Sequence, residues 1–409
     1  MRILFCADNF PGRFGPLASA FAAEGHEVLF ASHYGRRDFS LPGVRRVLLK
    51  PARRRTQPES PDEAARQEWA RALTTARYAS DAFASLRKNG FVPDMCVFSS
   101  LSGAALALSR SWPESVLIGC AEGMRARTSR EEAEAVVLRL RSCLAQAHAC
   151  FAFSEDRLAG MPPLLRRHAC VLPPAVDTDF FSPEAAAPFI LEGRVFTASD
   201  SCSESRLTEL VSVDMRSLPA ASSPALWNIC AGLLARRSAC RILMNCADPA
   251  ILAKAESMAA ALPAQWRERL FIKEFASMHE WRDMLCATDL HIFPEAVSGR
   301  SPLQEVLEAM SCAAPVIMPE TSAATVEEFL QGLAGQDGPK AEGCVAGIPR
   351  AGVAEQYARI FSLLEDRQAR KVLKDKARCL IVSACSQFRA VPEQIERILE
   401  LRRQWGQND

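Results

Sequence analysis

"RILFCADNFPGRFGPLASAFAAEGHEVLFAS", residues 2–32, decides the fold class. It opens on an apolar run, RILFCA, that ends at Ala7. A Pro-Gly turn follows, then an Ala-rich helical stretch, then a second apolar run, EVLFAS (27–32). Strand, helix, strand is the unit of a parallel sheet, and continuous apolar runs belong to strands covered on both faces. Gly12 and Gly15 would let backbone N–H groups approach a ligand at the first strand's end. The loop lacks Gly-x-Gly-x-x-Gly, so the dinucleotide fingerprint is absent.

The alternation continues. RRVLLK (45–50), DMCVF (94–98), SVLIG (115–119), ACFAF (149–153) and ACVLP (169–173) read as strands, with helices at about 14–24, 61–88, 102–111, 129–147 and 155–167. The segment LPPAVDTDFFSPEAAAPF (172–189), rich in Pro and Asp, breaks the pattern and reads as a linker. A second series follows: RVFTA (194–198), LVSVDM (210–215), RILMNC (241–246), LFIKEF (270–275), LHIF (290–293) and PVIMP (315–319), with helices near 224–237, 249–262, 277–287, 302–311 and 323–331. Beyond about 350 the chain reads as helical. The expected architecture is α/β: two doubly wound, Rossmann-like domains at 1–175 and 190–385, with a helical tail at 386–409.

The 49 Lys and Arg against 48 Asp and Glu leave a net charge of +1, without the basic excess of a nucleic-acid binder. Arg53-Arg54-Arg55 precede a Pro-rich turn and read as a solvated loop. The 15 cysteines are scattered singly, without a Cys-x-x-Cys pair or a zinc-ligand spacing. They read as buried, reduced thiols, which points to a cytoplasmic setting. The start MRILFCADNF does not read as a signal peptide, and no apolar run approaches the ~20 residues of a membrane span.

In open α/β sheets ligands bind outside the carboxyl ends of the strands, so the loops that follow strands hold the candidates. Arg216 stands at the end of LVSVDM. After LHIF comes SGRSPLQEVLEAM (298–310). Gly299 permits a tight turn, Ser301 caps a helix that begins at Pro302, and Gln304 completes a Ser-x-x-Gln capping box. That helix start offers N–H groups and partial positive charge to an anion, and Arg300 adds a full charge. Glu308 follows on the helix and can accept hydrogen bonds from hydroxyls. Read as ordinary structure, Arg216 is a solvent-exposed arginine and Glu308 a solvated helix residue.

Three stretches together resemble glycosyltransferase family 4. Residues 1–32 are similar to the opening of a subgroup with an NFPGQF-like loop and a helix ending in GHEV. VLPPAVDTDFFSP resembles the family's inter-domain motif, and LEAMSCAAPVIMPETSAATVEEFLQG resembles its donor-site motif. The resemblance spans about residues 1–332. It implies the GT-B fold, with two Rossmann-like domains facing across a cleft, and sugar transfer from a nucleotide-sugar with retention, without a metal or a cofactor. The carboxyl-terminal domain would hold the donor and the amino-terminal domain a glycan or protein acceptor. The last helix, about 391–405 with Trp405, would cross back to the first domain. Carried over by motif, Glu308 serves the ribose, Arg216 the diphosphate, and Gly12 the loop near the phosphates. Gly299, Arg300, Ser301, Leu303 and Gln304 form the donor helix start. Arg216, Arg300 and Glu308 would carry catalysis. Arg13 and Glu122 would meet the acceptor, Glu122 by orienting a hydroxyl. Peripheral attachment to a membrane is compatible with this reading.

The chain departs from the family pattern at several positions. The second cation that usually follows Arg216 is replaced by neutral Ser222 or Ser223. The usual upstream glutamate is Arg300, with Glu295 nearby but out of place. The inter-domain glycine is Ala175, and the glycine before PVI is Ala314. Two readings follow: an active transferase in which Arg300 restores the lost charge, or a GT-B scaffold that has lost catalysis and acts as a binding or partner subunit. A nucleotide-sugar epimerase would need His and carboxylate groups around the sugar. His26 and His33 show no carboxylate partner in sequence, and His291 lies mid-strand like a core histidine.

Overall fold

The structure, a computed structural model, describes residues 1–35, 39–50, 61–122, 131–198, 208–215, 223–246, 249–275, 277–294, 303–350 and 352–406. The chain divides into two compact units, one of Met1–Ala175 with Gln387–Asp409, the other of Val176–Ser386.

The first unit is built on seven parallel strands: β1 (Arg2–Cys6), β2 (Glu27–Ser32), β3 (Val44–Leu48), β4 (Met95–Ser99), β5 (Val116–Cys120), β6 (Ala149–Ala152) and β7 (Ala169–Val171). Their order is β3-β2-β1-β4-β5-β6-β7, so the sheet reverses direction of growth between β1 and β4. Helices α1 (Gly15–Ala23), α2 (Pro61–Lys88) and α3 (Glu131–Leu144) fill crossovers. Alternate residues of a strand point to opposite faces, and both faces are covered. Ile3 and Phe5 enter one apolar layer with Phe14, Phe21 and Phe30. Leu4 and Cys6 enter the other with Phe83, Phe98 and Trp112. Every residue of β4 and β5 is buried, which is why those segments read as unbroken apolar runs.

The second unit repeats the plan with β8 (Glu209–Asp214), β9 (Cys240–Asn245), β10 (Leu270–Lys273), β11 (Leu290–Ile292), β12 (Val316–Pro319) and β13 (Ala346–Ile348). They lie in the order β10-β9-β8-β11-β12-β13, all parallel, with the reversal between β8 and β11. The helices here are α4 (Pro224–Arg236), α5 (Pro249–Ala260), α6 (Met278–Ala287), α7 (Leu303–Ser311), α8 (Glu320–Ala334), α9 (Val353–Glu365) and α10 (Arg367–Cys385). The two orders are those of doubly wound Rossmann-type sheets.

Three local readings need correction. RVFTA does not join the main sheet. Arg194–Phe196 pairs antiparallel with Phe189–Leu191 across Glu192 and Gly193. Those two residues have φ of 49° and 72°, the left-handed pair that a tight two-residue hairpin requires. Residues 172–189 are packed rather than a free linker, because Val176, Phe181 and Phe189 are buried in the second unit's core. The helix expected over 102–111 is a 3-10 turn, Gly103–Ala107, before a single α turn, Leu108–Ser111. Gly103 sits so close to α2 that a Cβ there would lie 2.8 Å from the Ala72 Cα.

The last helix, α11 (Gln387–Gly406), belongs to the first unit. Its Ala390, Val391, Ile395, Ile398 and Leu401 join the apolar layer that holds Phe5 and Phe21. Trp405 meets the rings of His168, edge-on at 5.2 Å, and His148 at 5.9 Å. The chain passes between the units at two adjacent points, where Val176 and Ser386 form a parallel bridge and Val176 N–H donates to the Cys385 carbonyl at 2.8 Å. Among the described residues the cysteines are free thiols, buried except for half-buried Cys170 and exposed Cys379. No described helix is long and apolar enough to cross a membrane.

Candidate functional site

In the second unit the order reversal puts the ends of β8 and β11 side by side. The loop after β11 leads into α7, which returns antiparallel to the strands to reach β12. Its first turn therefore stands at the carboxyl edge of the sheet, where N–H groups without intrahelical partners and the positive end of the helix dipole collect. Arg216, Ser222, Glu295, Gly299, Arg300 and Ser301 lie outside the described residues, as do Pro302 and Arg53–Arg55. Leu303 opens the described helix. Gln304 is buried, and its amide donates to Glu308 Oε1 at 3.3 Å, one turn along the same face. Glu308 is half-buried, not a freely solvated residue. Val306, Leu307, Ala309 and Met310 bury the opposite side, so the helix cannot rotate without opening the core.

Ser223 is a helix cap: its hydroxyl accepts from Leu226 N–H at 3.4 Å, and Pro224 opens α4. A residue so engaged does not stand in for a phosphate-binding cation. The far end of α7 corrects the assignment of the missing glycine. Ala314 N–H donates to the Ala309 carbonyl at 2.9 Å, and the left-handed residue before it is Ala313, φ 54°. The position that wants glycine is Ala313, not Ala314.

In the first unit the edge at the β1–β4 reversal carries a second cluster. Gly12 has φ 50° in the turn that follows β1, a left-handed conformation that favours glycine. It leads Arg13 toward Glu122, just past β5, with Arg13 Nε 3.4 Å from Glu122 Oε1. The Ser99 hydroxyl donates to the other carboxylate oxygen, and the Ser100 hydroxyl donates to the Glu122 carbonyl at 2.8 Å. The structure thus joins Arg13 and Glu122, and adds Ser99 and Ser100, for which the run VFSS gave no signal beyond the strand end. Arg139, buried, pairs with Glu68 at 3.1 Å and donates to the Leu101 carbonyl at 3.1 Å, fixing the turn after β4 from behind.

The histidines are held by structure. His291 is fully buried, with Nδ1 2.6 Å from the Ser212 hydroxyl and its ring edge-on to Phe293. His33 shares Nδ1 with the Lys50 carbonyl at 3.0 Å, and burial pushes its pKa below the usual value. Among the described residues no group of His, Cys, Asp and Glu could hold a metal ion. An open groove of about 610 Å³ lies between α4 and α9, where Arg236 stacks on Tyr357. Val353 and Ala354 of the first turn of α9 also line this groove, and among the described residues none of the candidate site residues does.

Residues 24–133 match the family model described as the glycosyl transferase family 4 group. No curated protein matches the chain. Among solved structures it is similar to sucrose-phosphate synthase from Thermosynechococcus elongatus, at 14% identity and a TM-score of 0.63, covering 98% of this chain and 99% of that one. It is similar to the trehalose-6-phosphate protein from E. coli bound with UDP-2-fluoro glucose, at 11% identity and a TM-score of 0.60, covering 98% and 99%. A putative UDP-N-acetylglucosamine 2-epimerase from Listeria monocytogenes matches at 12% identity and a TM-score of 0.58, covering 98% and 97%. At these identities the likeness is one of fold. Residues 24–133 of the first unit are thus similar to the glycosyl transferase family 4 group, and the architecture of both units is that of the GT-B fold.

Proposed function

We propose that the chain transfers a hexose-type sugar from a nucleotide-sugar to a hydroxyl of a glycan or protein acceptor, with retention and without a metal. The observation that carries this reading is α7, whose first turn stands at the carboxyl edge beside the β8–β11 reversal, with Glu308 half-buried behind it. The bond from the anomeric carbon to the diphosphate breaks, and negative charge develops on the leaving phosphate. A helix N-terminus and guanidinium groups stabilise that charge best when fixed in advance. In this reading Arg216 and Arg300 supply the full charges, Leu303 and Gln304 the first-turn N–H groups, and Glu308 accepts the ribose hydroxyls. Gly12 lets the loop after β1 approach the phosphates. Arg13 and Glu122 hold the acceptor hydroxyl.

The second reading, a scaffold that binds but no longer transfers, draws on the capping role of Ser223. One lost cation would cost a phosphate site about 3 kcal/mol of transition-state stabilisation. Calorimetry with uridine, guanosine and adenosine diphosphates, followed by hydrolysis and transfer assays on a panel of nucleotide-sugars, separates the two. Binding with turnover supports transfer, and Arg300→Ala should then depress both donor affinity and turnover. Binding without turnover supports the scaffold. An absence of binding to every diphosphate at millimolar concentration sinks the donor reading, and release of an isomerised free sugar would point to an epimerase.

A further inference from the structure

Arg378, on α10, makes more polar contacts than a surface arginine needs. Its Nη1 donates to the Phe181 carbonyl at 3.0 Å, the Ser311 carbonyl at 2.8 Å and the Ser311 hydroxyl at 3.0 Å. Its Nη2 donates to the Thr178 carbonyl at 3.2 Å and lies 3.6 Å from a Glu184 carboxylate oxygen. The Ser311 hydroxyl in turn donates to the Phe181 carbonyl at 2.6 Å. Three stretches meet on one guanidinium: the last residue of α7, the segment 178–184 by which the chain enters the second unit, and α10. The last carbonyls of a helix have no intrahelical donor, and a cation there also opposes the negative end of the dipole. Arg378 meets both demands for α7. The planar fork spreads five donors over a fixed geometry and so reaches acceptors on two segments at once, where an ammonium offers three donors from a single point.

We infer that Arg378 is a positioning residue for the donor site: by clamping the carboxyl end of α7 to the entry segment, it sets where Glu308 and the helix's first turn stand. The inference rests on the reading of α7 as the donor helix. Glu308 is one turn from the clamp, and its carbonyl accepts from Cys312 N–H at 2.9 Å, so a shift at Ser311 passes directly to it. A helix is stiff along its axis, so slack at one end displaces the other, and recognition groups displaced by about 1 Å lose much of their effect.

The test compares Arg378→Met and Arg378→Lys with Arg370→Met. Arg370 lies on the same helix and is buried, but it donates to the Leu363 carbonyl at 2.9 Å and to the Leu364 carbonyl, and so holds the end of α9 instead. Methionine keeps the packing of the stem while removing the donors. Amide hydrogen exchange on the ligand-free proteins is read first. Arg378→Met should speed exchange in α7 by about tenfold or more, whereas Arg370→Met should speed it at the end of α9. Uridine and guanosine diphosphate affinities are read next. Arg378→Met should weaken whichever binds by about tenfold, Arg378→Lys should recover part of the loss, and Arg370→Met should leave it unchanged. Unchanged α7 exchange in Arg378→Met, equal α7 exchange in both methionine variants, or unchanged nucleotide affinity despite faster exchange would overturn the inference. If the wild type binds neither nucleotide while α7 exchange still responds to Arg378 alone, the clamp stands and the donor reading falls.

Discussion

Arg13 and Glu122 form an ion pair, 3.4 Å between Nε and Oε1, with side chains only 17% and 11% exposed, at the carboxyl edge of the first unit's sheet. The Ser99 hydroxyl orients the carboxylate from the far side. Glu122→Gln can keep the Ser99 contact but removes the charge opposite Arg13. It should cost about 2 kcal/mol of stability, read by urea unfolding. Transfer should fall by about tenfold or more while nucleoside diphosphate affinity holds. Unchanged transfer would remove Glu122 from the acceptor site.

Glu308→Ala removes the group assigned to the ribose. The expected result is a Kd for the bound nucleoside diphosphate raised about tenfold, or about 1.4 kcal/mol. Its carboxylate accepts a 3.3 Å hydrogen bond from Gln304, and loss of that bond should cost about 1 kcal/mol of stability. A variant that binds nucleotide like the wild type would show that the helix face does not meet the ribose.

Ala313 closes α7 with φ 54°, where a Cβ is strained. Ala313→Gly should stabilise the chain by about 1 kcal/mol. Ala314→Gly should not, because that residue is outside the left-handed region. Thermal denaturation of the two variants side by side gives the answer, and the reverse ranking would contradict the described helix end.

Ser223 caps α4, and Ser223→Ala should cost about 1 kcal/mol while Ser223→Asp costs little. Ser223→Arg, which inserts the family's cation, should lose the cap. If it raises nucleotide affinity by tenfold at that cost, position 223 is the place of the missing charge.

His148 Nδ1 accepts from Leu117 N–H at 2.9 Å, so its proton sits on Nε2. Burial lowers its pKa, as it does for His33 and His26. For a base whose folded pKa is depressed, the unfolded chain binds protons first, so stability falls as pH drops below about 6.5. Urea midpoints measured from pH 7.5 to 5 should decline, and His148→Gln should flatten part of that slope. A slope unaltered in the variant would show that protonation of His148 is not felt in folding.

The strands of both sheets were legible because burial on both faces leaves continuous apolar runs, and EVLFAS matches its strand residue for residue. Ala346–Ile348 was not, since three residues between Cys-Val and a Pro-Arg pair carry no periodicity. The hairpin at 189–196 had a signal in the Glu-Gly pair between apolar residues, but the parallel pattern around it absorbed RVFTA. At the site, the strand-end rule singled out Glu308, and the acceptor loops that the resemblance implies brought in Arg13 and Glu122. Neither could supply Ser99 beneath the carboxylate, because nothing local in VFSS distinguishes a hydroxyl that turns toward β5. Arg378 was hidden for a different reason: its partners at 178, 181 and 311 lie far off in sequence, and on α10 alone it reads as an ordinary polar-face residue.

The return of α11 has a consequence for how the protein is made. Val176–Ser386 is one uninterrupted stretch whose ends meet in a bridge, so it can close as soon as it leaves the ribosome. The unit translated first cannot. Its apolar layer includes Ala390, Val391, Ile395, Ile398 and Leu401, and a chain stopped at Ala175 would lack those side chains. The first unit's apolar layer is thus completed by side chains from both ends of the described chain, so its last packing contacts can form only after residues 387–406 have been translated.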